Sequence, residues 1–205
     1  LKAVLNDKDK EVMTTYRLIK RGVSLSPVSN YSAIQRIWDQ TPKSDSQRLA
    51  KAIVGSCYRI GQTGKKILPA GPGGHGKFRG AGALNYRAKN IDRFREALKH
   101  ATLLSQDYIS VVRRYDRKGA LFYFDPPYEK SGRDRIYRKG AGEMDYEKMA
   151  NVLRSIKGRF ILSINDSANM RRIFKGFKIK SVSVRSYMFA PEGGVLRKEL
   201  LIRNY

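Results

Sequence analysis

"LFYFDPPYE", residues 121–129, runs four apolar residues into an aspartate, two prolines and a tyrosine. A continuous apolar run of this length, closed by residues that cannot join a ladder, reads as a strand of a parallel sheet covered on both faces. Ligands of open α/β sheets bind at the carboxyl ends of the strands, and Asp125 stands at such an end. The plainer reading is a carboxylate that caps a turn while Pro126 and Pro127 terminate the strand. The prolines, however, remove two N–H donors and keep their carbonyls, so this turn offers hydrogen-bond acceptors only, with the Tyr128 ring beside them.

The flanking chain supports an α/β reading. "TLLS" (102–105) is a short strand, "DYISVVRRY" (107–115) and "MDYEKMANVLRSI" (144–156) are helices, and "RFILSIND" (159–166) is the next strand. "SANMRRIF" (167–174) is a short helix, and "FKIKSVSVRSY" with "VLRKELLIRNY" close the chain as an antiparallel pair at one sheet edge. Strands alternating with helices imply parallel crossovers. The first residues fit the same pattern. "LKAVLND" ends a strand at Asp7, and a helix with Val12, Tyr16 and Ile19 on one face follows, stopped at Gly22. Residues 23–100 interrupt the alternation. Pro27 and Pro42 break regularity between 23 and 43, and a helix follows from Ser44 or Asp45 through Leu49, Ile53 and Cys57. The glycine-rich, acid-free stretch 61–84 reads as loop, and "NIDRFREALKHA" returns to helix. The organisation expected is therefore a core of 1–22 and 101–205, with 23–100 as an inserted, mostly helical subdomain. No internal repeat is present.

Charge narrows the partners. Forty-two Lys and Arg against eighteen Asp and Glu give a formal charge of +24 and a pI near 10.3. A polyanion offsets such self-repulsion, and nucleic acid is the commonest one. No stretch approaches the roughly 18 apolar residues of a spanning helix, so no membrane partner is expected. Lys65, Lys66, Lys77, Arg79 and Arg87 in the inserted region, and Arg133, Arg135, Arg138 and Lys139 in the loop after "DPPY", are the candidate nucleic-acid contacts; the competing reading is a solvated face. Cys57 with His75 and His100 has no metal-ligand spacing, so no metal is expected, and Cys57 reads as a small core residue. A reducing, intracellular setting fits one cysteine and no signal-peptide pattern.

An acceptor-only turn beside an aromatic ring suits a planar amine. The Asp125 carboxylate and the Pro126 carbonyl each take one hydrogen of an –NH2 group while Tyr128 stacks on the attached ring. Two strong acceptors localise the nitrogen lone pair and aim it at an electrophile. A nucleobase amine inside a duplex is reached only by flipping the base out.

At this point the sequence resembles the Dam-like adenine-specific DNA methyltransferases. The resemblance rests on "DPPY", "VLNDKDKEVMTTYRLIK", "LLSQDYISVV", "FILSIND" and the closing "KELLIRNY". It implies a Rossmann-like sheet that binds S-adenosylmethionine, with Asp7 at the cofactor ribose, Asp107 and Tyr108 near its adenine, and Asp125 bordering it. It also implies transfer of the sulfonium methyl to the amino nitrogen of a flipped adenine in double-stranded DNA. Catalysis then falls to Asp125, Pro126, Pro127 and Tyr128. Asn165 and Asp166 line the pocket, or simply cap the helix after them. The family's glycine-rich cofactor loop and the strand before it are not in this sequence. In the family's sheet that strand lies between those ending at Asp7 and Asp125, so an N-terminal segment or a separate chain is expected to supply it. Two alternatives stand beside the enzyme: a degenerate methyltransferase fold serving as a nucleic-acid-binding or structural subunit, and the same chemistry on RNA.

Overall fold

The computed structural model describes residues 3–28, 30–58, 82–129, 144–186 and 195–205. These fall into two compact units, one ending at Tyr108 and the other beginning at Ile109. The fold is mixed α/β, and among the described residues six strands form a two-stranded and a four-stranded sheet.

In the first unit β1 (Val4–Asn6) and β2 (Thr102–Leu104) pair in parallel, Val4 opposite Thr102 and Asn6 opposite Leu104. Among the described residues five helices lie between them in the chain: α1 (Lys10–Lys20), α2 (Tyr31–Asp39), α3 (Asp45–Tyr58), α4 (Gly82–Lys89) and α5 (Ile91–Leu98). Local chemistry sets their ends. The Asp9 carboxylate accepts the Glu11 and Val12 N–H groups and caps α1. At the other end Gly22 adopts φ 90°, and Val23 and Gly22 donate to the Leu18 and Ile19 carbonyls, a Schellman closure. Helix α3 starts with a capping box: Ser44 Oγ accepts the Gln47 N–H, and Gln47 Oε1 accepts the Ser44 N–H.

Two helices differ from the sequence reading. Helix α2 occupies the stretch read as irregular, because Pro27 and Pro42 flank it instead of interrupting it. Asn30 caps it by accepting the Ala33 N–H at 2.9 Å, and Ile34 is buried. Helix α4 takes the end of the stretch read as loop and buries Leu84, while the Asn85 carboxamide exchanges two 2.9 Å bonds with the Val28 backbone. Leu18, Ile19, Ile34, Leu49, Val54, Leu84 and Leu98 belong to one core, against which Leu5 and Leu103 of the two strands also pack. Cys57 lies partly buried against this core, and burial pushes its thiol up.

Helix α6 (Tyr108–Tyr115) leads into the second unit, which continues with β3 (Leu121–Phe124), α7 (Tyr146–Ser155), β4 (Arg159–Asn165), α8 (Ala168–Ile173), β5 (Lys178–Ser186) and β6 (Val195–Arg203). The strand order is β3-β4-β6-β5, with β3 parallel to β4 and β6 antiparallel to both neighbours. The antiparallel closing pair expected from the sequence is present. Phe160, Leu162 and Ile164 alternate on one face of β4 and are fully buried, as are Leu200 and Ile202 of β6 and Met149, Leu153, Met170 and Phe174 around α7 and α8. The β3–β4 level is fixed by Asp116, whose carboxylate accepts the Lys157 and Gly158 N–H groups at 2.9 Å. Gly158 sits so close that a β-carbon would lie 2.7 Å from the Ala120 carbonyl.

One expectation needs correction. Strand β3 is not covered on both faces: Phe122 and Phe124 are half-buried, whereas Leu121 and Tyr123 are 63% and 66% exposed. The reason is its position, since β3 is an edge strand bonded on one side only among the described residues.

Candidate active site

Two groups of the residues singled out above assemble, one in each unit. In the first, Asp7 follows β1 and Asp107 and Tyr108 follow β2, and parallel pairing brings both carboxyl ends to one side. Asn6 secures them: its amide donates to the Gln106 carbonyl and its oxygen accepts the Gln106 N–H, each at 3.0 Å. Asp7 is exposed, and its Oδ1 accepts the Asp9 N–H at 2.7 Å, which fixes the carboxylate's orientation. Asn6 was not singled out from the sequence, although a carboxamide at a strand end is the kind of group that clips two chain segments.

In the second unit, Asp125 to Glu129 leave the carboxyl end of β3. The turn is pinned from three sides. The Tyr146 hydroxyl, at the start of α7, donates to the Pro127 carbonyl at 2.6 Å. The Asn165 carboxamide oxygen, at the end of β4, accepts the Glu129 N–H at 2.8 Å. The Glu129 carboxylate accepts from Ser167 Oγ at 2.5 Å and Asn169 Nδ2 at 2.6 Å, around the start of α8. With both flanks tied down, two prolines leave the backbone little freedom. No described residue donates to the Asp125 carboxylate or the Pro126 carbonyl. The corner is therefore a rigid pair of acceptors, and Asp125 is exposed.

A second carboxylate stands beside it. Glu199 of β6, opposite Asn165 in register, takes a hydrogen bond from the half-buried Tyr128, and the Ser163 hydroxyl borders both, 3.5 Å from Glu199 Oε2. Loss of water, then the Glu199 carboxylate, hold the Asp125 carboxyl above its ordinary range. Burial and the bond to Glu199 push the Tyr128 phenol up to about 12, so it stays neutral at physiological pH. A carboxylate with raised proton affinity is a stronger hydrogen-bond acceptor. Glu199, like Asn6, is a residue the sequence reading missed; only its place in the closing strand pointed to it.

Of the two residues read as pocket lining or helix cap, Asn165 is occupied in holding the turn. Asp166 accepts hydrogen bonds from Arg171 Nε and Nη2, each at 2.7 Å, and from the Ser181 hydroxyl, which hold its carboxyl below the usual range. Ser167 caps α8.

The model of the D12 class N6 adenine-specific DNA methyltransferases matches residues 71–188, more than half of the 205-residue chain. The chain belongs to this family. The matched span includes Asp107, Tyr108, the whole Asp125–Tyr128 corner and Asn165, and leaves Asp7 outside. No curated protein matches the chain. Membership makes the chain one of a family of methyltransferases that act on DNA adenine.

Of the candidate nucleic-acid contacts, only Arg87 lies among the described residues; it stands on α4 and bonds to Ser56 of α3. Lys65, Lys66, Lys77, Arg79, Arg133, Arg135, Arg138 and Lys139 lie outside them. Among the described residues no group of His, Cys, Asp and Glu is arranged to hold a metal ion, and no helix is long and apolar enough to cross a membrane.

Proposed function

We propose that this protein methylates the exocyclic amino group of a flipped adenine in double-stranded DNA, with S-adenosylmethionine as donor. The observation that carries the reading is the pinned acceptor corner: an exposed Asp125 and a Pro126 carbonyl with no donor among the described residues, in a turn tied down by Tyr146, Asn165 and Glu129. Asp125 and Pro126 hold the two amine hydrogens, which keeps the nitrogen lone pair out of the ring and available for attack. Pro127 keeps the corner stiff. Tyr128, oriented by Glu199, covers the base. Bound S-adenosylmethionine supplies an electrophilic methyl group. Asp7 holds its ribose hydroxyls, and Asp107 and Tyr108 border its adenine.

In this reading the fold is Rossmann-like, 1–22 and 101–205 make the catalytic core, and 23–100 read the target. Arg87 and the basic residues of 61–80 and 130–143 meet the DNA backbone. An N-terminal segment or a separate chain adds a strand at the free edge of β3, which also covers Leu121 and Tyr123. Slow amide exchange along β3 in the presence of that segment is the expected sign, and exchange at an edge-strand rate throughout counts against it.

The test is methyl transfer from labelled S-adenosylmethionine to duplex DNA, with digestion and mass spectrometry of the nucleosides. N6-methyladenine with wild type and none with Asp125→Ala is expected. Label that reaches RNA and not DNA moves the reading to an RNA substrate. No transfer and no binding of the donor leaves a nucleic-acid-binding subunit.

A further inference from the structure

We propose that a basic cavity in the first unit, between the last turns of α1 and the start of β2, binds a phosphate group carried on a sugar, with Arg17 as its principal ligand. The proposal does not rest on the methyltransferase reading. The cavity has a volume of about 680 Å³, and its lining includes Arg17, Leu18, Lys20 and Arg21 together with Thr102 and Leu103. Parallel pairing gathers Asp7 and Asp107 at the carboxyl ends of β1 and β2, whereas Thr102 opens β2 at its amino end. Helix α1 begins just after Asp7 and spans about 16 Å along its eleven residues. Arg17 to Arg21 therefore stand at the far end of the helix from Asp7, and the cavity is a second site, apart from the one proposed for S-adenosylmethionine.

Arg17, Lys20 and Arg21 recur at the three- and four-residue spacing that puts side chains on one helix face. Their charges are under-compensated. Asp45 accepts from Arg21 Nη2 at 2.5 Å, but it also accepts from Arg48 Nη1 at 2.9 Å. Lys20 Nζ donates to the Ala101 carbonyl at 2.6 Å, a neutral acceptor that holds the ammonium in place and leaves its charge. The half-buried Arg17 guanidinium bonds to no described residue, and neither does the Thr102 hydroxyl. No carboxylate lines the cavity among the described residues. A helix C-terminus carries the equivalent of only about half a negative charge, so positive charge remains in excess even with the shared Asp45. An unpartnered guanidinium fork beside an ammonium and a hydroxyl is a donor set for phosphate: the fork takes two oxygens and the hydroxyl a third. The volume is that of a small-molecule site, about 300–1,000 Å³, so it holds more than the phosphate, and Leu18 and Leu103 supply an apolar wall for a sugar. A free nucleotide and the backbone of a nucleic acid both present this group.

The experiment measures binding of thymidine 5′-monophosphate and of a DNA duplex to the full chain by isothermal titration calorimetry, at several salt concentrations. The variant is Arg17→Gln, which removes a side chain bonded to nothing in the described fold and leaves the melting temperature unchanged. The control is Lys175→Gln, an exposed cation of the second unit with the same charge loss. Losing a charge-assisted bidentate contact weakens binding about tenfold or more, while the screened control charge changes it by less than about twofold. That loss with thymidine 5′-monophosphate assigns the cavity to a free nucleotide. A loss with duplex alone, with the slope of log Kd against log salt flattened by about 1 relative to the control, assigns it to the nucleic-acid backbone. Equal affinities of Arg17→Gln and Lys175→Gln for both probes overturn the proposal, and so does a wild type that binds neither. Methyl transfer to duplex is read separately on the same proteins, so equal affinities of variant and control leave the methyltransferase reading standing.

Discussion

Tyr128 donates its hydroxyl hydrogen to Glu199 across the open end of the second unit's sheet, and the same Glu199 carboxylate raises the proton affinity of Asp125. The acceptor that grips the amine must be ionised to work. Its carboxyl is held above the ordinary aspartate value of about 3.9, so the acid limb of the pH profile for methyl transfer lies above that value. Glu199→Gln removes one of the two causes of the rise and moves the limb to lower pH, while desolvation keeps it from returning fully. The measurement is kcat against pH for both proteins on the same duplex. An unmoved limb shows that Asp125 does not feel Glu199.

Asp125 itself carries a stability consequence of known sign. A carboxyl whose folded-state pKa is raised adds stability that is fully present below its unfolded pKa and is lost as pH rises through the folded value. At neutral pH the ionised Asp125 is therefore unfavourable to the fold. Asp125→Asn should melt at the same temperature as wild type or higher at pH 7, and should lose that advantage below about pH 4. It should at the same time lose methyl transfer, since a carboxamide presents one acceptor and two donors to the amine. A clear drop in melting temperature at pH 7 would mean that the carboxylate is structural.

The turn's rigidity depends on Tyr146, whose hydroxyl reaches the Pro127 carbonyl at 2.6 Å. Tyr146→Phe keeps the ring and removes that bond, a loss of about 1 kcal/mol in folding stability. The larger effect falls on kcat, because a misplaced acceptor pair affects the reacting geometry more than the binding of DNA. Steady-state kinetics should show kcat reduced about tenfold or more with KM for DNA little changed. Equal losses in kcat and KM would instead report a general loosening of the site.

The acceptor corner was legible because its elements are local: an apolar run, an acid and two prolines identify a strand end whatever surrounds it. The helix closure at Gly22 and an N-cap for α3 at Ser44 or Asp45 were readable for the same reason. What the sequence hid was tertiary. Glu199 lies 74 positions from Asp125 and meets it only because β6 enters the sheet antiparallel beside β4. Asn6 and Tyr146 are ordinary residues until pairing brings them to the segments they hold. The exposure of Leu121 and Tyr123 was equally invisible, since burial of a strand's second face depends on neighbours, and the residues of β3 are apolar throughout. Helix α2 was missed through the two prolines around it, which mark its limits.

The junction between α6 and β3 supplies a stability prediction independent of function. Asp116 accepts two backbone N–H groups from Lys157 and Gly158, and a β-carbon at Gly158 would lie 2.7 Å from the Ala120 carbonyl oxygen. Asp116→Ala leaves those donors without their acceptor and should cost about 2–3 kcal/mol. Gly158→Ala forces a methyl group against the Ala120 and Arg117 carbonyls, which are backbone and cannot rotate away, and should cost about 1–3 kcal/mol. Both losses should appear in urea titrations followed by far-UV circular dichroism. Because the two residues share one contact, the double variant should lose less than the sum of the single losses. Full additivity would mean that Asp116 and Gly158 support the β3–β4 level by separate routes.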